Sequence, residues 1–402
     1  MNKNKAVSII DWLSMALITF LVIYTCVPET YKYYNFYINI ILAFIIVVTR
    51  YVFRQRKLTI SVELGKLLGI TIISLLVLST LLLIKGMPIT YKGFVPCVIQ
   101  CLLYSVIFLD IHDEGSAKFK MSLVVTFILV LSYVAIRGII MLDVYPLASR
   151  QIAGFLSEAE SAFYLNQGVV NFGHVYAIAF MTYPVLKFLQ VTNSKILRAI
   201  CFVFLVVDYI VIVKSAYSMA FLLAFFSTVL FLFEIIKSRR LKVFVGIISG
   251  IVVFLTFING SQLLYEFLIN AGLTTQASKV KQILSFESGG DLYSINRYRL
   301  YRISIDNFFQ HPLFGTDNCG QHSQFFDALS IFGVFSTFYF IIILGQYSKW
   351  KKRMNTYSAR VVYILFGLFV VLNTFYTSAQ STAWFLMVPI TLGLADNTFK
   401  EA

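Results

Sequence analysis

Residues 119–141 read FKMSLVVTFILVLSYVAIRGIIM, with charge only at Lys120 near one end and Arg137 near the other. About 20 predominantly apolar residues are what a helix needs to cross the hydrocarbon layer of a bilayer, and at that depth every backbone polar group must find its partner inside the helix. Moving outward from this stretch, the same pattern recurs in both directions. Membrane-crossing helices are expected near 8–28, 35–53, 62–84, 91–110, 119–141, 169–191, 196–213, 216–236, 241–259, 326–347, 360–376 and 381–396, about twelve in all.

A soluble chain of 402 residues would divide into two or three domains, but 59% hydrophobic residues, 13% charged residues and a mean hydropathy of +0.81 belong to a membrane protein. The expected fold class is therefore all-α, a single polytopic integral membrane domain over 1–402. A formal net charge of +14 raises the question of nucleic acid. The distribution of the basic residues answers it. If the amino terminus is inside, the short cytoplasmic segments MNKNK, RYVFRQRK, DEGSAKFK, KFLQVTNSKILR, KSRRLK, SKWKKRMNTYSAR and the carboxyl end hold 21 of the 33 lysines and arginines. Such an excess on one side sets the orientation of insertion and needs no nucleic-acid partner. Both termini are expected to be cytoplasmic.

The five cysteines, Cys26, Cys97, Cys101, Cys201 and Cys319, form no C-x-x-C pair and lie mostly in apolar runs, so they read as packing residues. The opening MNKNK is followed by an apolar run too long for the core of a signal peptide and without a small-residue cleavage site. It is expected to stay attached as the first span.

Two segments on the outer side exceed a simple turn. The first, 143–168, carries Arg150, Glu158 and Glu160; the second, 259–325, is the large outer loop near the carboxyl end. Long ordered loops in compact domains are usually functional. Within the second, 261–290 is partly amphipathic and expected to lie as a helix on the outer surface. Its last part, 288–325, leads into Gly333 and is the polar centre of the chain: SGGDLYSINRYRLYRISIDNFFQHPLFGTDNCGQHSQFFDALSIFG. Arg297, Tyr301, Ser304 and Phe308 recur at helical spacing and are closed by Pro312, which puts them on one helix face. His322 stands just ahead of the next apolar run.

This segment resembles the bacterial O-antigen polymerase and O-antigen ligase superfamily of polysaccharide-assembling membrane proteins. The pattern of that family runs roughly R-x3-W-x10-P-L-x-G, a short turn, then H-N-x-[YF]-L-x6-G. Arg297, Tyr301, Pro312, Leu313, Gly315, His322, Phe325 and Gly333 match it here. Tyr301 replaces the tryptophan and Ser323 replaces the asparagine. The stretch VVNFGHVYAIAF, 169–180, is similar to the N-x-x-G/A helix start of the family. The resemblance implies a GT-C-like helical membrane fold and a glycan donor linked through diphosphate to a polyprenyl lipid. The reaction would extend a capsule, O-antigen or exopolysaccharide on the outer face of the bacterial cell membrane, with a flippase and a chain-length regulator as partners beside membrane lipids. Polymerase is the expected function, a ligase is the alternative within the same chemistry, and a flippase that moves a lipid-linked oligosaccharide is the second alternative, from another class.

On that reading Arg297 meets the diphosphate, because a planar guanidinium donates two parallel hydrogen bonds and keeps its charge. His322 accepts the proton of the attacking sugar hydroxyl near neutral pH. Arg150 or Arg299 is a second phosphate clamp, and Tyr301 and His174 are further substrate-binding candidates. No cofactor is implied, and the outer side has no acidic cluster or D-x-D to hold a metal. Plainer readings stand beside these. Arg297, Arg299 and Arg302 could solvate an outer helix or touch anionic headgroups. His311 could serve its turn, Arg137 and Lys214 could snorkel from helix ends, and Glu158 or Glu160 could be a base or a solvated loop face. Polar groups within spans, His174 and Asp208, are costly there and often functional.

Overall fold

The computed structural model describes residues 9–33, 35–52, 62–114, 117–146, 148–152, 157–215, 217–257 and 292–352, with isolated positions between 266 and 278 and between 367 and 374. All regular structure among them is helical. In chain order the helices are α1 (Ile9–Cys26), α2 (Phe36–Val52), α3 (Val62–Ile84), α4 (Phe94–Glu114), α5 (Ala117–Val144), α6 (Ala148–Ile152), α7 (Glu158–Asn166), α8 (Phe172–Val191), α9 (Lys195–Ser215), α10 (Ser218–Ile235), α11 (Arg239–Phe257), α12 (Leu292–Gln310), α13 (Gln324–Phe332) and α14 (Ser336–Lys352). The expected spans at 360–376 and 381–396 and the amphipathic segment at 261–290 lie outside the described residues, isolated positions apart.

Among the described residues, five helical stretches are long and apolar enough by length and composition to cross a membrane: Ile9–Cys26, Lys118–Val144, Phe172–Gln190, Lys195–Ser215 and Gln324–Ile343, the last interrupted at Gly333. Shorter apolar helices lie at Tyr37–Arg50, Leu68–Ile84, Tyr91–Ile107 and Ala220–Ile235. The helices pack in a row that runs α10, α8, α9, α5, α1, α2, α4, α3, α14. Along the row, α8 is enclosed over most of its length, with Val175, Ala177, Ile178, Ala179 and Tyr183 buried. Outward faces instead carry exposed large apolar side chains, among them Trp12, Phe20, Leu76, Leu83 and Phe202. Contiguous exposed apolar surface on this scale is what hydrocarbon solvates.

Charged pairs join helix ends level by level. At one level, buried Arg50 of α2 meets Asp11 of α1 at 3.5 Å and also Asp110 of α4, with its guanidinium 5.1 Å from the centre of the Phe119 ring. Lys187 of α8 pairs there with Glu234 of α10. At the opposite level Arg137 meets Glu29 at 3.1 Å, Lys214 meets Asp143, and Lys92 meets Asp327 at 3.3 Å. Each pair joins ends that a strict alternation of spans puts on the same side. Arg137 and Lys214 thus have protein carboxylates as partners rather than only headgroups.

One expected span is not straight. The run expected as a single helix over 326–347 is α13, a 3-10 turn at Gly333–Phe335, and α14. The chain doubles back there. Gln324 Nε2 donates to Tyr339 Oη at 3.0 Å, and the Phe325 and Phe340 rings are 5.4 Å apart edge to face. In a continuous helix, residues fifteen apart would be about 22 Å from one another.

Candidate functional site

The polar segment folds as two helices tied by a knotted turn. α12 has the sequence LYSINRYRLYRISIDNFFQ, with few residues able to bury it in hydrocarbon. Its partner is α13, and their contact includes the rings of Tyr301 and Phe326, 6.1 Å apart at 66°. Tyr301 therefore does the packing work open to any large aromatic at this position. The helix ends where proline ends it: His311 N–H still reaches Asn307 O, and then Pro312 cannot continue.

Beyond Pro312 the turn closes on the α13–α14 break. Gly315 N–H donates to His311 O, Thr316 N–H to Ser330 O at 2.7 Å, and Val334 N–H to Pro312 O at 2.8 Å. Both glycines of the sequence pattern sit at this closure with positive φ, +68° at Gly315 and +56° at Gly333. A Cβ on Gly333 would lie 2.5 Å from Pro312 O, and one on Gly315 would lie 2.4 Å from Ile331 O. The pattern P-L-x-G…G is thus one contact made by two segments some twenty residues apart. Lys85, just past the end of α3, seals it by donating to the carbonyls of Phe314 at 2.6 Å, Thr316 at 3.0 Å and Ile331. Burial lowers the Lys85 ammonium to about 8 while Asp317 pulls the other way.

A second tie sits deeper. Asp327 of α13 is buried, and its Oδ1 accepts from Ser304 Oγ at 2.7 Å and from Gln321 N–H at 3.1 Å. Its Oδ2 faces Lys92 Nζ at 3.3 Å. Ser304 Oγ in turn accepts from Gly320 N–H at 2.8 Å. Gly320 has no room for a side chain, since a Cβ there would stand 1.8 Å from Leu300 O. The loop that carries His322 is therefore pressed onto the α12 backbone one helical turn past Arg297.

The placement of the other candidates follows. His322 is exposed, directly ahead of Ser323, whose Oγ accepts from Phe326 N–H at 3.1 Å as the N-cap of α13. Serine at this position so performs the capping that an asparagine would also perform. Arg299 is exposed on α12, and Arg302, also exposed, pairs with Asp306 one turn on at 3.3 Å. Arg150 lies in α6, tied to the start of α10 by Tyr217 Oη donating to Ser149 O. His174 is buried at the start of α8, where its Nδ1 accepts from Asn171 N–H at 3.2 Å while Asn171 Oδ1 accepts from His174 N–H at 3.2 Å. That leaves Nε2 as the atom of His174 able to meet a ligand.

Glu160 is committed locally. It forms a capping box with Ser157, accepting from Ser157 Oγ at 2.7 Å and Ser157 N–H at 2.9 Å, and these bonds hold its carboxyl below the usual range. Within the bundle, Asp208 of α9 accepts from Thr182 Oγ1 of α8 at 2.7 Å. Cys319 is buried, which raises its thiol and leaves it inert.

Sequence reading missed Asp327, Lys85 and Lys92. Asp327 stands in an apolar run, and its cation, Lys92, is 235 residues away from it. Both lysines count only as outer-side charges until the fold brings them to the knot. No protein-family model matches this chain, and no curated protein matches it significantly.

Proposed function

We propose that this chain is a membrane glycosyltransferase of the O-antigen polymerase type, in which Arg297 and His322 work on a polyprenyl diphosphate-linked glycan at the outer face of a bacterial cytoplasmic membrane. About twelve spans in a GT-C-like arrangement with both termini cytoplasmic complete the reading. The observation that carries it is the seating of Gly320 on Leu300. It brings the backbone ahead of His322 to the helix that bears Arg297, and the two residues belong to one sequence pattern.

In the reaction, the oxygen of an acceptor sugar hydroxyl forms a bond to the anomeric carbon of the donor, and the bond from that carbon to the diphosphate oxygen breaks. The proton of the hydroxyl passes to His322, and the electron pair leaves with the polyprenyl diphosphate. Arg297 stabilises the charge that develops there, which is commonly the largest catalytic contribution. Exposure of His322 and Arg299 suits a lipid-linked substrate that arrives from outside the bundle.

The test is polysaccharide length on a gel, from cells whose own copy is replaced by wild type, Arg297→Ala or His322→Ala at matched membrane levels. Single repeat units on their usual acceptor are the expected product of both variants. Long chains with both variants refute the reading, and long chains stranded on the lipid carrier make the protein a ligase.

A further inference from the structure

Among the described residues two non-glycine positions have positive φ, Lys92 at +47° and Gln321 at +67°. Such backbone is strained and persists where surrounding contacts over-determine it, most often at functional sites. Both residues bind the same buried carboxylate. Lys92 reaches Asp327 Oδ2 through its side chain, and Gln321 reaches Asp327 Oδ1 through its amide. A third ligand, Ser304 Oγ, links that oxygen to α12 and at the same time accepts from Gly320 N–H. Two consecutive amides, those of residues 320 and 321, are so fixed by one carboxylate and one hydroxyl. On the other side of His322, Ser323 is fixed by capping α13.

His322 is therefore held between two anchored points, and the anchor before it is referenced to the helix that carries Arg297. We infer that Asp327 is a positioning residue: with Ser304 and Lys92 it holds the strained 320–321 turn and sets where His322 stands relative to α12. This rests on the assignment of His322 and Arg297 proposed above. Asp327 itself is buried under the turn, so it acts through the groups it holds.

The experiment has two arms, run on the full chain in membranes or detergent. In the first, hydrogen exchange is followed at the amides of 320–322 in wild type, Asp327→Ala, Asp327→Asn and Ser304→Ala. Loss of a hydrogen bond to a charged acceptor predicts exchange faster by about tenfold to a hundredfold in Asp327→Ala, with α3 and α14 unchanged. Asparagine keeps an acceptor for Ser304 and Gln321, so Asp327→Asn should retain most of the protection. In the second arm the same variants are scored for polysaccharide length at matched membrane levels. Asp327→Ala should give short chains and Asp327→Asn should restore length, a rescue that a uniform loss of stability does not produce.

Ser304→Ala removes one ligand only, so it decides the matter if Asp327→Ala does not accumulate. Unchanged exchange in both Asp327→Ala and Ser304→Ala overturns the inference, and so does fast exchange with full-length chains. Full-length chains in Arg297→Ala and His322→Ala instead show that the underlying assignment is wrong. The positioning role then falls with it, while the exchange arm still reports whether Asp327 holds the turn.

Discussion

Replacing Gly333 by alanine should open the knot between the HPLFG turn and the start of α14. Gly333 has φ +56° and ψ −138°, a conformation that L side chains avoid at a cost of about 1–3 kcal/mol. The added methyl would also stand 2.5 Å from Pro312 O and 2.6 Å from Leu313 O, both backbone atoms that cannot rotate away. Relief requires the turn to move, which breaks the bond from Val334 N–H to Pro312 O and loses about 0.5–1.5 kcal/mol more. The sum, about 1.5–4.5 kcal/mol, corresponds to roughly 10- to 1,600-fold faster exchange of the Val334 amide at about 1.4 kcal/mol per factor of ten. Hydrogen exchange read by mass spectrometry on the purified protein gives that number directly. Gly345→Ala is the control, because that glycine lies inside α14 with nothing within 4 Å of an added Cβ, so alanine should be neutral or stabilise the helix by up to about 1 kcal/mol. Equal protection of Val334 in wild type and Gly333→Ala would refute the reasoning.

Lys85→Met should leave three carbonyls without their donor and lower the melting temperature by the equivalent of about 1–3 kcal/mol, less where water replaces the ammonium. An unchanged melt means that the lysine does not seal the turn. Arg50→Met takes the guanidinium away from buried Asp11 and Asp110 and should destabilise the bundle by up to about 3–5 kcal/mol, a loss that a further Asp110→Asn should partly restore in thermal melts. For Glu160, bonds that favour its carboxylate in the folded state mean that folding binds fewer protons there than unfolding does. Its contribution to α7 is therefore present above pH 4.5 and lost as the pH falls through the lower folded value. The difference in α7 exchange between wild type and Glu160→Gln should shrink on that acid side, and a gap that widens instead contradicts the sign.

Helix positions were legible because hydrocarbon imposes one rule along the whole chain. The expected 62–84, 169–191 and 196–213 are close to α3, α8 and α9. The break at Gly333 was not legible, since the residues on either side are equally apolar and a glycine inside a span is ordinary. Its cause lies in Pro312 and Leu313, twenty residues earlier in the chain. The helical face of Arg297, Tyr301, Ser304 and Phe308 was readable from periodicity, and the structure puts Ser304 and Tyr301 against α13. What Ser304 binds was not readable, because Asp327 contributes nothing to a local pattern. Long-range pairs such as Lys92 with Asp327 leave no trace in spacing.

The buried cluster of Arg50 with Asp11 and Asp110 bears on how the chain is built. Its three members come from α1, α2 and α4, so about a hundred residues must be synthesised before the set is complete. Until α2 arrives, Asp11 lacks the Arg50 guanidinium. Once α1 and α2 have paired, their charges balance, and α4 then brings a further carboxylate to an arginine already in place. Sharing one arginine thus ties α1, α2 and α4 to one another across about a hundred residues of chain, so that the pairing is complete only when all three are in place.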